Sequence, residues 1–122
     1  MARHNELGKK GEQEARRFLI AKGYTVLETN WRYEKAEIDL IARDQDELVI
    51  VEVKTRSTDA FGDPEEAVTP QKARHLIRAA EAYVDACGWD KDIRYDIVSI
   101  LLKKNKIVIR HIVDAFYAAD FQ

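Results

Sequence analysis

Residues 37–56, EIDLIARDQDELVIVEVKTR, place two aliphatic runs on either side of an acidic turn. A turn centred on Gln45 and Asp46 makes a hairpin in which residues whose numbers sum to 91 face each other. In its second strand Leu48 and Ile50 share one face, and Val49, Val51 and Val53 line the other. A strand apolar on both faces belongs between two covering layers, not on the outside of an open sheet. Its charges stand at one end only, where Asp39 falls opposite Glu52 and Lys54 joins them diagonally. Opposed side chains have Cβ atoms roughly 5 Å apart. At an effective dielectric of about 20 the repulsion is on the order of 3 kcal/mol, a large share of the roughly 5–15 kcal/mol that holds a small domain folded. A positive charge is therefore expected between the carboxylates. Lys54 supplies part of it, and a divalent cation held by both carboxylates and a backbone carbonyl would supply more. A lone Glu-x-Lys on a strand usually marks a polar outer face, but the aliphatic residues on both faces speak against that here.

The rest of the chain supplies covering layers. Helical spacing of Ala15, Phe18 and Leu19 predicts a first helix from about Glu6 to Lys22, closed by Gly23. Glu12, three residues before Ala15, falls on that core-facing side, an unusual place for a carboxylate. Residues 24–31, YTVLETNW, read as a strand. Ala73, Leu76, Ile77, Ala80, Tyr83, Val84 and Cys87 keep the helical period between a Thr69-Pro70 start and Gly88, so the second helix should cover the sheet with Cys87 in its core face. IRYDIVSILL and IVIRHIV, joined by KKNK, form a last hairpin. The expected order is α-β-β-β-α-β-β, a mixed sheet flanked by helices. The connection from Ser57 to Val68, broken by Gly62 and Pro64 and carrying Phe61, is long enough to suggest a functional loop.

Composition narrows the function classes. A chain of 122 residues that is 46% hydrophobic suits one domain over residues 1–122 with a sizeable core. No apolar run has the length of a membrane span and MARHNELGKKGEQ has no apolar signal region, so a soluble, cytoplasmic protein without a membrane partner is expected. With only Cys87, His4, His75 and His111, neither a disulfide framework nor a zinc-ligand spacing can be assembled. The net charge of −2 argues against holding nucleic acid by bulk electrostatics. Its distribution is more telling. Residues 34–66 carry eleven acidic against four basic side chains, whereas Lys9, Lys10, Arg16, Arg17 and Lys22 cluster near the start and Lys103, Lys104, Lys106 and Arg110 near the end. An acidic centre between basic segments suits a metal site with phosphate-contacting shoulders.

G-x-x-G-E in the first helix, NWR, EIDLIA, VEVKTR and FG-x-P-x-x-AV together resemble the YraN-like family of small bacterial proteins, over residues 8 to about 100. That family in turn is similar to the PD-(D/E)xK nuclease superfamily, with a restriction-endonuclease-like fold and a likeness to Holliday-junction resolvases. The resemblance implies Asp39 as the first acidic residue, Glu52 and Lys54 as the ExK pair, and Glu12 as an additional carboxylate on the first helix. Ile38 stands where the superfamily has proline, and Ala36 where the family usually has glycine; both departures leave the acidic set intact.

On this reading Asp39, Glu52 and the Val53 carbonyl are expected to hold Mg²⁺ or Mn²⁺, whose chemistry is to polarise a phosphate and lower the pKa of water. Lys54 would orient that water or offset charge on the phosphorus, and Glu12 would assist. Gln71 and Lys72, at the start of the second helix, are candidates for binding substrate phosphate. Trp31 and Arg32 could stack on or contact nucleic acid, but a Trp that ends a strand suits packing better, and His75 and His111 suit structural or exposed roles. The expected substrate is nucleic acid, DNA first among them and of structured or branched form, with a second copy or a protein partner adding surface to grip a duplex. The rival is an inactive nucleic-acid-binding or protein-interaction module on the same fold.

Overall fold

In the computed structural model, which describes residues 2–57 and 68–121, five strands form one sheet in the spatial order β1-β2-β3-β4-β5. The chain runs α1 (Ala2–Ala21), β1 (Thr25–Tyr33), β2 (Ala36–Asp44), β3 (Glu47–Arg56), α2 (Pro70–Cys87), β4 (Asp92–Lys103) and β5 (Lys106–Phe116), with a short 3₁₀ turn at Ala118–Phe121. This is the mixed α/β order read from the sequence. Neighbouring strands are antiparallel except β3 and β4, which run parallel because α2 carries the chain back between them. Most of the connection holding Phe61, Gly62 and Pro64 lies outside the described residues. No helix among the described residues is long and apolar enough to cross a membrane.

The β2–β3 hairpin has the expected register, from Leu40 opposite Val51 to Asp44 opposite Glu47, and Gln45 takes the left-handed φ of 55° that its two-residue turn requires. Both faces of β3 are covered. Ala15, Leu19 and Tyr24 pack with Leu40, Ala42, Val49, Val51, Val98 and Ile100 beneath α1. On the opposite face Leu76, Ile77, Ala80 and Tyr83 of α2 pack with Ile38, Ile41, Leu48, Ile50 and Tyr95.

Each helix is set by its own residues. Thr69 caps α2 by accepting from the Lys72 N–H at 3.2 Å, Pro70 opens it, and Gly88 at φ 75° ends it. Helix α1 approaches β3 so closely at Gly11 that a Cβ there would lie 1.8 Å from Thr55 Oγ1, which only a glycine permits. Cys87 corrects an expectation: it is exposed, not core. The buried face of α2 ends at Tyr83, and the last turn runs beyond the cover of the sheet.

Candidate functional site

Where β2 and β3 part, the backbone ladder ends and a side chain continues it. The last paired residues are Leu40 and Val51. One step further, the Val53 N–H donates to Asp39 Oδ2 at 2.8 Å, while β3 runs on beside β4 to Arg56. The pleat of β2 also changes at this point: Ile38 packs on the α2 side and Leu40, two residues on, packs on the α1 side. Opposite this reversal stands Asn30, in the left-handed region at φ 51°. Asp39 thus reaches both sides of the sheet end, and it lines a cavity on each.

On the α2 side, a cavity of about 470 Å³ brings Asp39 and Glu52 together with Glu37, Gln71, Lys72 and His75. Glu52 is 5% exposed and hydrogen-bonds with Asp39. Burial and then the Glu52 charge push the Asp39 carboxyl up to about 8, more than the Val53 amide can offset. On the α1 side a smaller cavity joins Asp39 to Glu12, Asn30, Lys9 and Arg16. Glu12 is raised by burial, eased by its hydrogen bond with Asn30, and raised further by Glu37 and Glu52. Oxygens of Glu12, Glu37 and Asp39 lie within 4.8 Å of one another.

The structure therefore gathers Glu12, Asp39, Glu52, Gln71 and Lys72, all singled out from the sequence, and adds Glu37, Asn30 and His75. The Val53 contact to Asp39 is through its amide. The counter-charge differs from expectation. Lys72, from the first turn of α2, forms an ion pair with the Glu52 carboxylate, whereas Lys54 is exposed and outside the lining of both cavities. The first turn of α2 lines the same cavity as Glu52, and that is where its lysine meets the carboxylate.

Trp31 packs edge-on against Tyr83 at 5.2 Å and belongs to the α2-side core, in keeping with a packing role, while the exposed Arg32 pairs with Glu37 at 3.0 Å. His111 is structural. Its Nε2 lies 2.7 Å from buried Asp96, which also receives Arg94 Nη2 at 2.8 Å and the Asp114 N–H at 3.1 Å. Arg94 extends this network to Asp44, Glu47 and the Tyr24 hydroxyl, at the hairpin-turn end of the sheet and away from Asp39.

Fold and site define a small mixed α/β domain with acidic side chains concentrated where two central strands diverge. The chain belongs to the family described as Uncharacterised protein family UPF0102, whose model matches residues 11–100. It is similar to the UPF0102 protein of Parabacteroides distasonis, 49% identical over 97% of this chain and 98% of the relative. The UPF0102 protein FP2501 of Flavobacterium psychrophilum is also 49% identical, over 96% of this chain and 98% of its own length. That of Christiangramia forsetii is 47% identical over the same shares.

Proposed function

We propose that this protein is a metal-dependent nuclease, hydrolysing phosphodiester bonds of nucleic acid, DNA first among them, at the Asp39–Glu52 centre. The observation that carries the reading is the Asp39 carboxyl itself, half-buried, hydrogen-bonded with the buried Glu52, and pushed up to about 8 by desolvation and then by the Glu52 charge. Such a pair costs stability without a cation and is relieved by one. The donors fit Mg²⁺ or Mn²⁺: Asp39 and Glu52 offer carboxylate oxygens side by side, and Glu12 and Glu37 bring further carboxylate oxygens within 4.8 Å of Asp39. Asp39, Glu52 and the Val53 carbonyl would hold the ion, which supplies Lewis-acid polarisation of a phosphate oxygen and water of lowered pKa.

The chain's own groups divide the remaining work. Val53 N–H fixes Asp39, so the carboxylate is oriented before any ligand arrives. Lys72 is held on Glu52, and an ion there would free its ammonium for a substrate phosphate beside Gln71. Glu12, on its own side of Asp39 and inclined to keep a proton, is placed for proton transfer. Lys54, exposed on β3, remains available as a mobile positive charge.

The Lys72–Glu52 pair also favours a second reading, an inactive nucleic-acid-binding or protein-interaction module in which lysine has taken the cation's place. A cleavage panel separates the two. Branched, flapped, single-stranded and duplex substrates are incubated with Mg²⁺ or Mn²⁺ beside an Asp39→Ala control. Cleavage of at least one substrate, lost in the control, supports the nuclease; uniform inactivity with retained binding supports the module.

A further inference from the structure

Next to the acidic cavity lies a second one, of about 290 Å³, between the β1–β2 turn and α2. Its lining is Tyr33, Glu34, Lys35, Ala36, His75 and Arg78, and it shares Lys35, Ala36 and His75 with the Asp39–Glu52 cavity. Lys35 and Arg78 are exposed and have no acidic partner among the described residues. Tyr33, 38% exposed, lies parallel to Trp31 within 4° at a centroid separation of 6.4 Å, and Trp31 is held edge-on against Tyr83. The ladder Tyr83–Trp31–Tyr33 runs outward from the core and fixes the orientation of the outermost ring, so little ordering remains to be done when a ligand stacks there.

We infer that this cavity is a nucleotide subsite for single-stranded nucleic acid, with an unstacked base on or beside Tyr33 and its phosphate on Lys35 and Arg78. The strand would continue past His75 to the carboxylates, and on the far side of Asp39 it would meet Lys9 and Arg16 in the α1-side cavity. Two basic shoulders on either side of an acidic centre match a polyanion whose scissile bond lies in the middle. They also account for a chain that can engage nucleic acid without a basic net charge. The aromatic ring decides for a single strand, because duplex bases are stacked on each other and withhold their faces. Glu34 contributes one opposing charge to the lining and leaves the two cations in excess.

The inference rests on the nucleic-acid reading above, and binding tests it apart from catalysis. Full-length Glu52→Gln is titrated with a fluorescein-labelled oligothymidylate and with a blunt duplex of equal length, in chelator, so that cleavage plays no part. The single strand should bind more tightly. Adding Tyr33→Ala should weaken it roughly 5- to 100-fold while Tyr33→Phe restores it. Arg78→Gln, at an exposed helix position, should lower the slope of log affinity against log salt by about 0.7. Duplex binding equal to or tighter than single-strand binding overturns the subsite, as does single-strand affinity indifferent to Tyr33→Ala and Arg78→Gln, or absent. Cleavage by the wild type is scored separately. Cleavage with Tyr33-independent binding overturns the subsite alone, whereas Tyr33-dependent binding without cleavage sinks the hydrolase and leaves the subsite standing.

Discussion

Asp39 and Glu52 hydrogen-bond to each other one step beyond the last backbone pair of their hairpin, and Asp39 simultaneously accepts the N–H of Val53. A carboxyl at this point stands in for the backbone acceptor of a departing strand. Desolvation first, and then the Glu52 charge, keep it protonated near neutrality.

That relationship has a direct pH signature. Asp39 loses its proton near pH 4 in the unfolded chain and near 8 in the folded one. Its contribution to stability is therefore complete below about pH 4 and is lost as pH rises to about 8 and beyond. Asparagine at this position mimics the protonated acid, accepting from Val53 and donating to Glu52. Denaturation of the metal-free protein between pH 4 and 9 should show Asp39→Asn gaining on the wild type with rising pH, by on the order of a few kcal/mol. A constant difference across this range would mean that desolvation and Glu52 do not hold the proton on this carboxyl.

Lys72 compensates a Glu52 that is almost fully buried. Lys72→Met should cost about 1–3 kcal/mol without metal, because the carboxylate is left without its partner. Saturating Mg²⁺ should shrink that loss, since the ion replaces the ammonium. Paired urea titrations with and without Mg²⁺ check this, and an equal loss in both would separate Lys72 from the metal site.

Gly11 sets how closely α1, and hence Glu12, approaches the sheet. Gly11→Ala puts a methyl 1.8 Å from Thr55 Oγ1 and 2.7 Å from Thr55 Cβ. A cost of about 1–3 kcal/mol or more is expected, measurable as a lower Tm, and Thr55→Ala should recover only part of it because the Cβ remains.

The Arg94–Asp96–His111 network is structural on this account. Arg94 is 6% exposed; burial works to lower its pKa, but hydrogen bonds to Asp96, Asp44 and Tyr24 outweigh that and keep it charged. Asp96→Asn should cost roughly 3–5 kcal/mol by leaving that charge poorly compensated. The folded fraction should retain full metal affinity, as read by calorimetry.

Much of this was legible in the sequence because the period of two is strict in the hairpin. Valines at 49, 51 and 53 and the two-residue turn at Gln45–Asp46 allow one register, and that register puts Asp39 at Glu52. Helix α2 was equally plain from Thr69, Pro70 and Gly88. The parallel pairing of β3 with β4 was not, since a strand apolar on both faces does not say which neighbour it takes. The sequence marks Lys72 as a helix-start lysine, yet its bond to Glu52 depends on where α2 begins over the sheet. Glu37 was hidden by the pleat reversal at Asp39; the one local hint was Asn30, a residue type that tolerates φ above zero. Cys87 kept the helical period but not the burial, because periodicity fixes a face and not how far its cover extends.

The most direct measurement is calorimetric titration of the wild type and Asp39→Asn with Mn²⁺ at pH 7, in two buffers of different ionisation heat. The buffer dependence counts protons released on binding. A cation held by Asp39 and Glu52 must displace the Asp39 proton, so the wild type should bind with release of about one proton and the variant should bind far more weakly. Equal affinity in both proteins, with no proton released, would contradict the assignment of a metal centre to this pair.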